Sequence, residues 1–206
     1  NPNNPTGTFL PYDELKAFIA SLPRDIIVVL DEAYNEYLAP EHRVDTTAWL
    51  KEFDHLVITR TFSKIYGMAG LRIGYALASA SVADLMNRVR QPFNVNSIAQ
   101  AAAIASLADD DFVERSYALN QAGMAQLKQG FDKLGLQYIP SFANFISVKV
   151  GDAAAYNQKL LQKGVIVRPV ANYEMPEYLR VSIGLFSENA KFLTVLEEII
   201  KEDSRA

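Results

Sequence analysis

The chain contains no cysteine, so neither disulfides nor thiolate metal sites contribute to its fold or chemistry. No uninterrupted apolar stretch approaches the roughly 20 residues that a bilayer-spanning helix needs. A basic excess is missing too: 20 Lys and Arg against 24 Asp and Glu leave a net charge of −4, no general attraction for nucleic acid or an anionic membrane. There are only two histidines, His42 and His55, both in polar segments without ligand spacing. Both read as surface residues, and no metal site is expected around Glu32 or Glu36. Half of the 206 residues are apolar, 11% aromatic and 21% charged, the composition of a folded globular protein expected to be soluble and cytoplasmic.

The chain opens without methionine on NPNNPTG, a dense turn signal of the kind that normally separates two ordered elements. A chain starting inside such a turn is expected to be a truncated one. Pro11–Leu22 follows as a helix with Leu15, Phe18 and Ile19 on one face. The apolar runs at 25–30, 56–60 and 73–78 read as strands, the first buried on both faces as in a helix-covered parallel sheet. Each ends in a polar or glycine-rich turn, and in open α/β sheets ligands bind beyond the carboxyl ends of the strands. Helices are expected over 81–90, 95–107 and 110–134, the last stopped by Gly135. Strands at 145–150, 165–168 and 178–183, with helices at 152–163 and 188–201, point to an α+β second domain from residue 136.

Three turns at or between these elements carry polar residues. They are Asn3-Asn4-Pro5-Thr6-Gly7, then Asp31-Glu32-Ala33-Tyr34, and then Thr61-Phe62-Ser63-Lys64 followed by Gly70-Leu71-Arg72-Ile73-Gly74. Taken singly each has a plain reading: Asp31 as a helix cap, Ser63-Lys64 as solvated surface, Tyr34 as a core aromatic, Asn4 as a turn residue. Taken in order and spacing, the set resembles the class I/II aminotransferases with the aspartate aminotransferase fold, closest to the histidinol-phosphate aminotransferase branch. The segments at Pro92–Ser97, Ser141–Phe145 and Val167–Gly184 share that resemblance, which covers essentially the whole chain and implies that the family's N-terminal portion is absent.

The resemblance implies an α/β fold: residues 1–135 as part of the large cofactor-binding domain, with a mixed, mostly parallel sheet, and 136–206 as a small α+β domain. It implies pyridoxal 5'-phosphate (PLP) as cofactor, held by Lys64 as a Schiff base, the same lysine then moving the substrate proton. Asp31 would pair with the pyridinium nitrogen, which makes the ring an electron sink. Tyr34 and Asn4 would bond the phenolic oxygen, and Thr61, Ser63 and Arg72 the cofactor phosphate. Arg180 would take the substrate carboxylate as a bidentate fork, and Arg168 would help with a substrate phosphate, against the plain reading of a strand-end surface arginine. Asn94 and Asn96 resemble a segment near the family's dimer interface; Asn94 reads equally well as a helix cap.

The implied reaction is transamination between histidinol phosphate and 2-oxoglutarate in a homodimer. The same scaffold also hosts aromatic aminotransferases and threonine-phosphate decarboxylase-like lyases. A PLP-binding regulatory domain is a further reading, and little or no turnover is expected of these residues alone.

Overall fold

The computed structural model describes residues 1–204. They form two compact units: Asn1–Pro2 with Leu10–Ser116, and Asn3–Phe9 with the residues from Tyr117 onward.

In the first unit, α1 (Tyr12–Ser21) starts directly after Pro11 and buries Tyr12 and Ile19. Three strands follow, β1 (Val28–Asp31), β2 (Leu56–Thr61) and β3 (Gly74–Ala78), in the sheet order β1-β2-β3. The sheet is mixed: β1 and β2 run parallel, β2 and β3 antiparallel. Three short 3-10 helices, Asn35–Tyr37, Pro40–His42 and Thr46–Lys51, carry the chain from β1 to β2, and Trp49 and Phe53 bury their rings along this link. In the central strand Leu56, Val57 and Ile58 are buried. The edge strand β1 departs from the expected double burial, since Val29 is 60% exposed. Its face at this edge is uncovered among the described residues.

Two helices, α2 (Ala80–Val89) and α3 (Ser97–Ser106), complete this part. The cap of α3 is Asn96, whose side chain accepts the Ala99 N–H at 2.8 Å. Asn94 accepts instead from Arg90 Nη1 at 3.3 Å. His55 is not on the surface: it is buried edge-on against Phe53, 6.0 Å between ring centroids, because the start of β2 turns it inward.

The long α4 (Asp110–Leu134) spans the division between the units. Its later turns carry Met124, Leu127 and Phe131 into the second unit's core, so the division by contacts falls inside the helix. After it come β4 (Tyr138–Ile139), β5 (Phe145–Lys149), α5 (Ala153–Gln162), β6 (Arg168–Val170), β7 (Met175–Ser182) and α6 (Phe186–Asp203). The strands form an antiparallel sheet in the order β4-β5-β7-β6. The two-residue β4 is too short to leave an apolar pattern. β6 begins at Arg168 and not Val165, and as an edge strand it tolerates Pro169.

Ile146, Val148, Leu179 and Val181 of the sheet pack with Leu160 of α5 and with Phe192, Leu196 and Ile199 of α6. The 3–9 segment joins this unit through three contacts. Phe142 N–H donates to Gly7 carbonyl at 2.8 Å, Ser147 Oγ donates to Pro5 carbonyl at 2.7 Å, and Phe9 lies 5.4 Å from Phe142. Gly7 has φ +74°, and a Cβ there would collide with Ser141 Oγ, so only glycine fits the turn.

Phe131 is fully buried and packs 5.8 Å from Tyr138 and 6.1 Å from Phe192. Phe131→Ala is expected to destabilise the second unit by about 3–5 kcal/mol. Urea unfolding measures this, and a loss below about 1 kcal/mol would contradict the packing described.

Candidate active site

The C-terminal ends of β1 and β2 and the turn after β2 form one cavity of about 390 Å³, bounded by Asp31, Thr59, Thr61, Ser63, Lys64 and Arg72 among others. Strand alternation explains the first three. Asp31 stands opposite Thr59 in the ladder, and Thr61 lies two residues further along the same face. β3 can lie close against this end because its first residue is Gly74; a Cβ there would sit 2.8 Å from the Arg60 carbonyl.

The turn after β2 is pinned from below by Phe62 and Ile65, 3% and 2% exposed, which leaves Ser63 and Lys64 on the cavity side. It closes on itself through Gly67 N–H to Lys64 carbonyl at 2.9 Å and Met68 N–H to Phe62 carbonyl at 3.0 Å. Thr61 Oγ1 accepts the Ser63 N–H at 3.0 Å, which orients the hydroxyl at the turn's entrance. Lys64 Nζ lies 5.3 Å from the centroid of the buried Tyr34 ring, a cation–π distance.

Asp31 combines its two readings: Oδ1 accepts the Ala33 N–H at 3.0 Å, a turn cap, while the residue stays exposed at the cavity rim. Arg72 is held in the left-handed region at φ 56° and ψ 57°, with Nη1 donating to Ala69 carbonyl at 2.7 Å. That bond folds the guanidinium over the turn and leaves its other N–H groups without a partner among the described residues. Three cations, Arg60, Lys64 and Arg72, and the hydroxyl residues Thr59, Thr61 and Ser63 around one carboxylate suit a ligand that carries both an anionic and a cationic group.

The second unit holds Asn4, Arg168 and Arg180. Arg180 Nη1 donates to Asn4 Oδ1 at 2.5 Å, and its guanidinium lies 5.0 Å from the Phe145 ring centroid. The ladder puts Arg168 directly opposite Arg180, so both side chains leave the same face of the sheet. Arg180 Nε is buried without a hydrogen-bond partner among the described residues. Asp31, Thr61, Ser63, Lys64 and Arg72 thus line one cavity with Tyr34 against Lys64, and Asn4 and the arginines form a cluster in the other unit.

One pair went unread in the sequence. Glu32 is fully buried, with Oε2 accepting from Arg60 Nε at 2.8 Å and Oε1 from Thr46 Oγ1 at 2.5 Å. Its signal was available: alternation turns Glu32 away from Asp31, and an arginine inside β2 needs a partner.

The chain belongs to the aminotransferase class I and II family, whose sequence pattern matches residues 1–195. It is 65% identical over 201 residues to the histidinol-phosphate aminotransferase of Methylobacillus flagellatus, covering 98% of this chain and 55% of that one. It is 60% identical over 200 residues to histidinol-phosphate aminotransferase 1 of Dechloromonas aromatica, with 97% and 55% covered. The fold matches that of the Sinorhizobium meliloti histidinol-phosphate aminotransferase solved with pyridoxal-5'-phosphate, at TM-score 0.88 and 32% identity, over 98% of this chain and 56% of that one. The chain spans about half the length of the curated relatives it matches.

Arg72→Gly separates ligand binding from backbone strain. Glycine relieves a left-handed conformation worth about 1 kcal/mol, so the thermal midpoint is expected to hold or rise. Affinity for pyridoxamine 5'-phosphate is expected to fall at least tenfold, about 1.4 kcal/mol or more, as a charge-assisted bond is lost. Calorimetric titration measures it; unchanged affinity would remove Arg72 from the phosphate site.

Proposed function

We propose that this chain is the cofactor-lysine part of a PLP-dependent aminotransferase whose amino donor is histidinol phosphate and whose acceptor is 2-oxoglutarate. The observation that carries it is the single cavity that Lys64 lines together with Asp31, Thr61, Ser63 and Arg72. The 65% identity to a histidinol-phosphate aminotransferase supports the choice of donor. PLP, when bound, supplies an aldehyde that condenses with amines and a ring that takes up the electrons of the C–H bond broken next to the nitrogen.

The protein's own residues do the rest. Lys64 would hold the cofactor through Nζ and, as general base, would take the proton from the donor's amine-bearing carbon and deliver it to the cofactor carbon on the other side of the nitrogen. The Asp31 carboxylate keeps the ring nitrogen protonated, and Tyr34 and Asn4 hydrogen-bond the phenolic oxygen. Thr61, Ser63 and Arg72 grip the cofactor phosphate. Histidinol phosphate has a phosphate ester where glutamate has its α-carboxylate. Arg180 takes that anion in either substrate, and Arg168, opposite it in the ladder, adds charge for the phosphate. The products are imidazole acetol phosphate and glutamate.

A homodimer fits the first unit's surface, where Leu85, Val89, Phe93, Ile98 and Ile104 are all exposed along α2, α3 and their connection. No helix among the described residues is long and apolar enough to cross a membrane.

Protein incubated with PLP is expected to develop the lysine-bound cofactor's absorbance band, and Lys64→Ala to abolish it. A band that persists in the variant would refute the assignment. The donor is tested by comparing histidinol phosphate with phenylalanine in a coupled assay: higher kcat/KM for phenylalanine would make the protein an aromatic aminotransferase.

A further inference from the structure

The buried carboxylate behind the cavity has no part in the chemistry proposed above. At the end of the first sheet, successive residues alternate between faces, so Asp31, Thr59 and Thr61 stand on the cavity side while Glu32 is turned away from it, and Arg60, whose Nε bonds Glu32, itself borders the cavity. Tyr75 of β3 is the ladder partner of Arg60 and hydrogen-bonds it, which extends the charged rung across all three strands. Thr46, from the 3-10 helix that links β1 to β2, occupies the second carboxylate oxygen.

Every donor in this rung comes from a different segment: β2, β3 by way of Arg60, and the β1–β2 link. Beyond Asp31 the β1 ladder ends in a single bond, Glu32 N–H to Thr59 carbonyl at 2.9 Å. The rung adds a side-chain link between the two strand ends beside that bond. Burial opposes the charge on Arg60, yet Glu32 beside it and the Tyr75 hydroxyl hold the guanidinium above its ordinary pKa, so Arg60 stays charged.

We infer that Glu32 is a positioning residue for the cofactor site: through Arg60, Thr46 and Tyr75 it fixes the ends of β1 and β2 from behind, and so sets where Asp31 stands relative to Thr61 and Lys64. The inference rests on the cavity being a PLP site. A charge pair with both carboxylate oxygens occupied is directional, whereas an apolar pair of equal volume fills the space without fixing the angle between the strands. Replacing a buried ion pair with apolar residues is commonly neutral or stabilising, which lets positioning be separated from stability. A misplacement near 1 Å in such a site is enough to weaken what it holds.

The test uses Glu32→Gln and the double variant Glu32→Leu/Arg60→Met, with three readouts. These are the thermal midpoint of the cofactor-free protein, exchange of the Glu32 amide hydrogen, and PLP affinity by absorbance titration. Glu32→Gln is expected to lower the midpoint, speed exchange at that amide and weaken PLP binding at least tenfold. The double variant is expected to recover the midpoint but keep the fast exchange and the weak binding. Recovery of PLP affinity together with the midpoint would overturn the inference, as would a folded Glu32→Gln that binds PLP like the wild type. Should Glu32→Gln not fold, Thr46→Val, which frees one carboxylate oxygen and keeps Arg60, is read with the same three measurements, and wild-type PLP affinity with fast exchange at that amide would overturn the inference. Wild-type protein that takes up no PLP would instead overturn the reading of the cavity, a result distinct from failure of the rung.

Discussion

Consecutive residues in a β-strand point to opposite faces, and at the end of β1 that rule separates two carboxylates one residue apart. Asp31 goes to a solvent-exposed cavity rim and Glu32 to a fully buried position, and their partners sort accordingly. Asp31 has the backbone N–H of Ala33 and faces the hydroxyls and cations of the turn after β2. Glu32 has Arg60 and Thr46, because a buried carboxylate without such partners would be several kcal/mol less stable, on the order of a domain's whole margin. The cavity and its support therefore come from one alternation read on two faces.

The same logic orders the turn that presents Lys64. Phe62 and Ile65 are buried anchors three residues apart, and the two residues between them project to the cavity. Arg72, at the far end of this segment, is in the left-handed region, a conformation that a non-glycine residue keeps only when its surroundings hold it there. Its bond to the Ala69 carbonyl is part of that hold. Strain concentrated at a cation that faces a cavity agrees with a binding role for Arg72.

Asp31, Thr61, Ser63, Lys64 and Arg72 were marked in the sequence by the resemblance of the motifs that carry them, and they come to one cavity because each lies near a strand end of the first sheet. The helices were legible by their ends, marked by Pro11, Pro92 and Gly135. Glu32 and Arg60 were not read as a pair because they are 28 residues apart and meet only through the parallel β1–β2 register. His55 looked like a surface residue beside Asp54, since its burial depends on Phe53 and the start of β2 and not on its own neighbours. The three 3-10 helices between β1 and β2 carry no period long enough to detect. Asn4 was legible as a polar turn residue, but its bond to Arg180, 176 positions away, needed the structure.

That last contact bears on how two arginines can share one face of a sheet. Like charges directly across an antiparallel pair are mutually destabilising, so the positions of Arg168 and Arg180 need a compensating arrangement. Arg180 has one: Asn4 accepts from one end of its guanidinium and the Phe145 ring lies beneath its plane. Arg168 is exposed and keeps its charge in water. Neither arrangement brings an acidic side chain to the pair, for no ion pair of Arg168 or Arg180 occurs among the described residues. The two guanidinium groups thus leave a positively charged pair on this face of the sheet. An anion is the natural complement to such a face, and a phosphate ester, with more charge than a carboxylate, gains more from two guanidinium groups than from one.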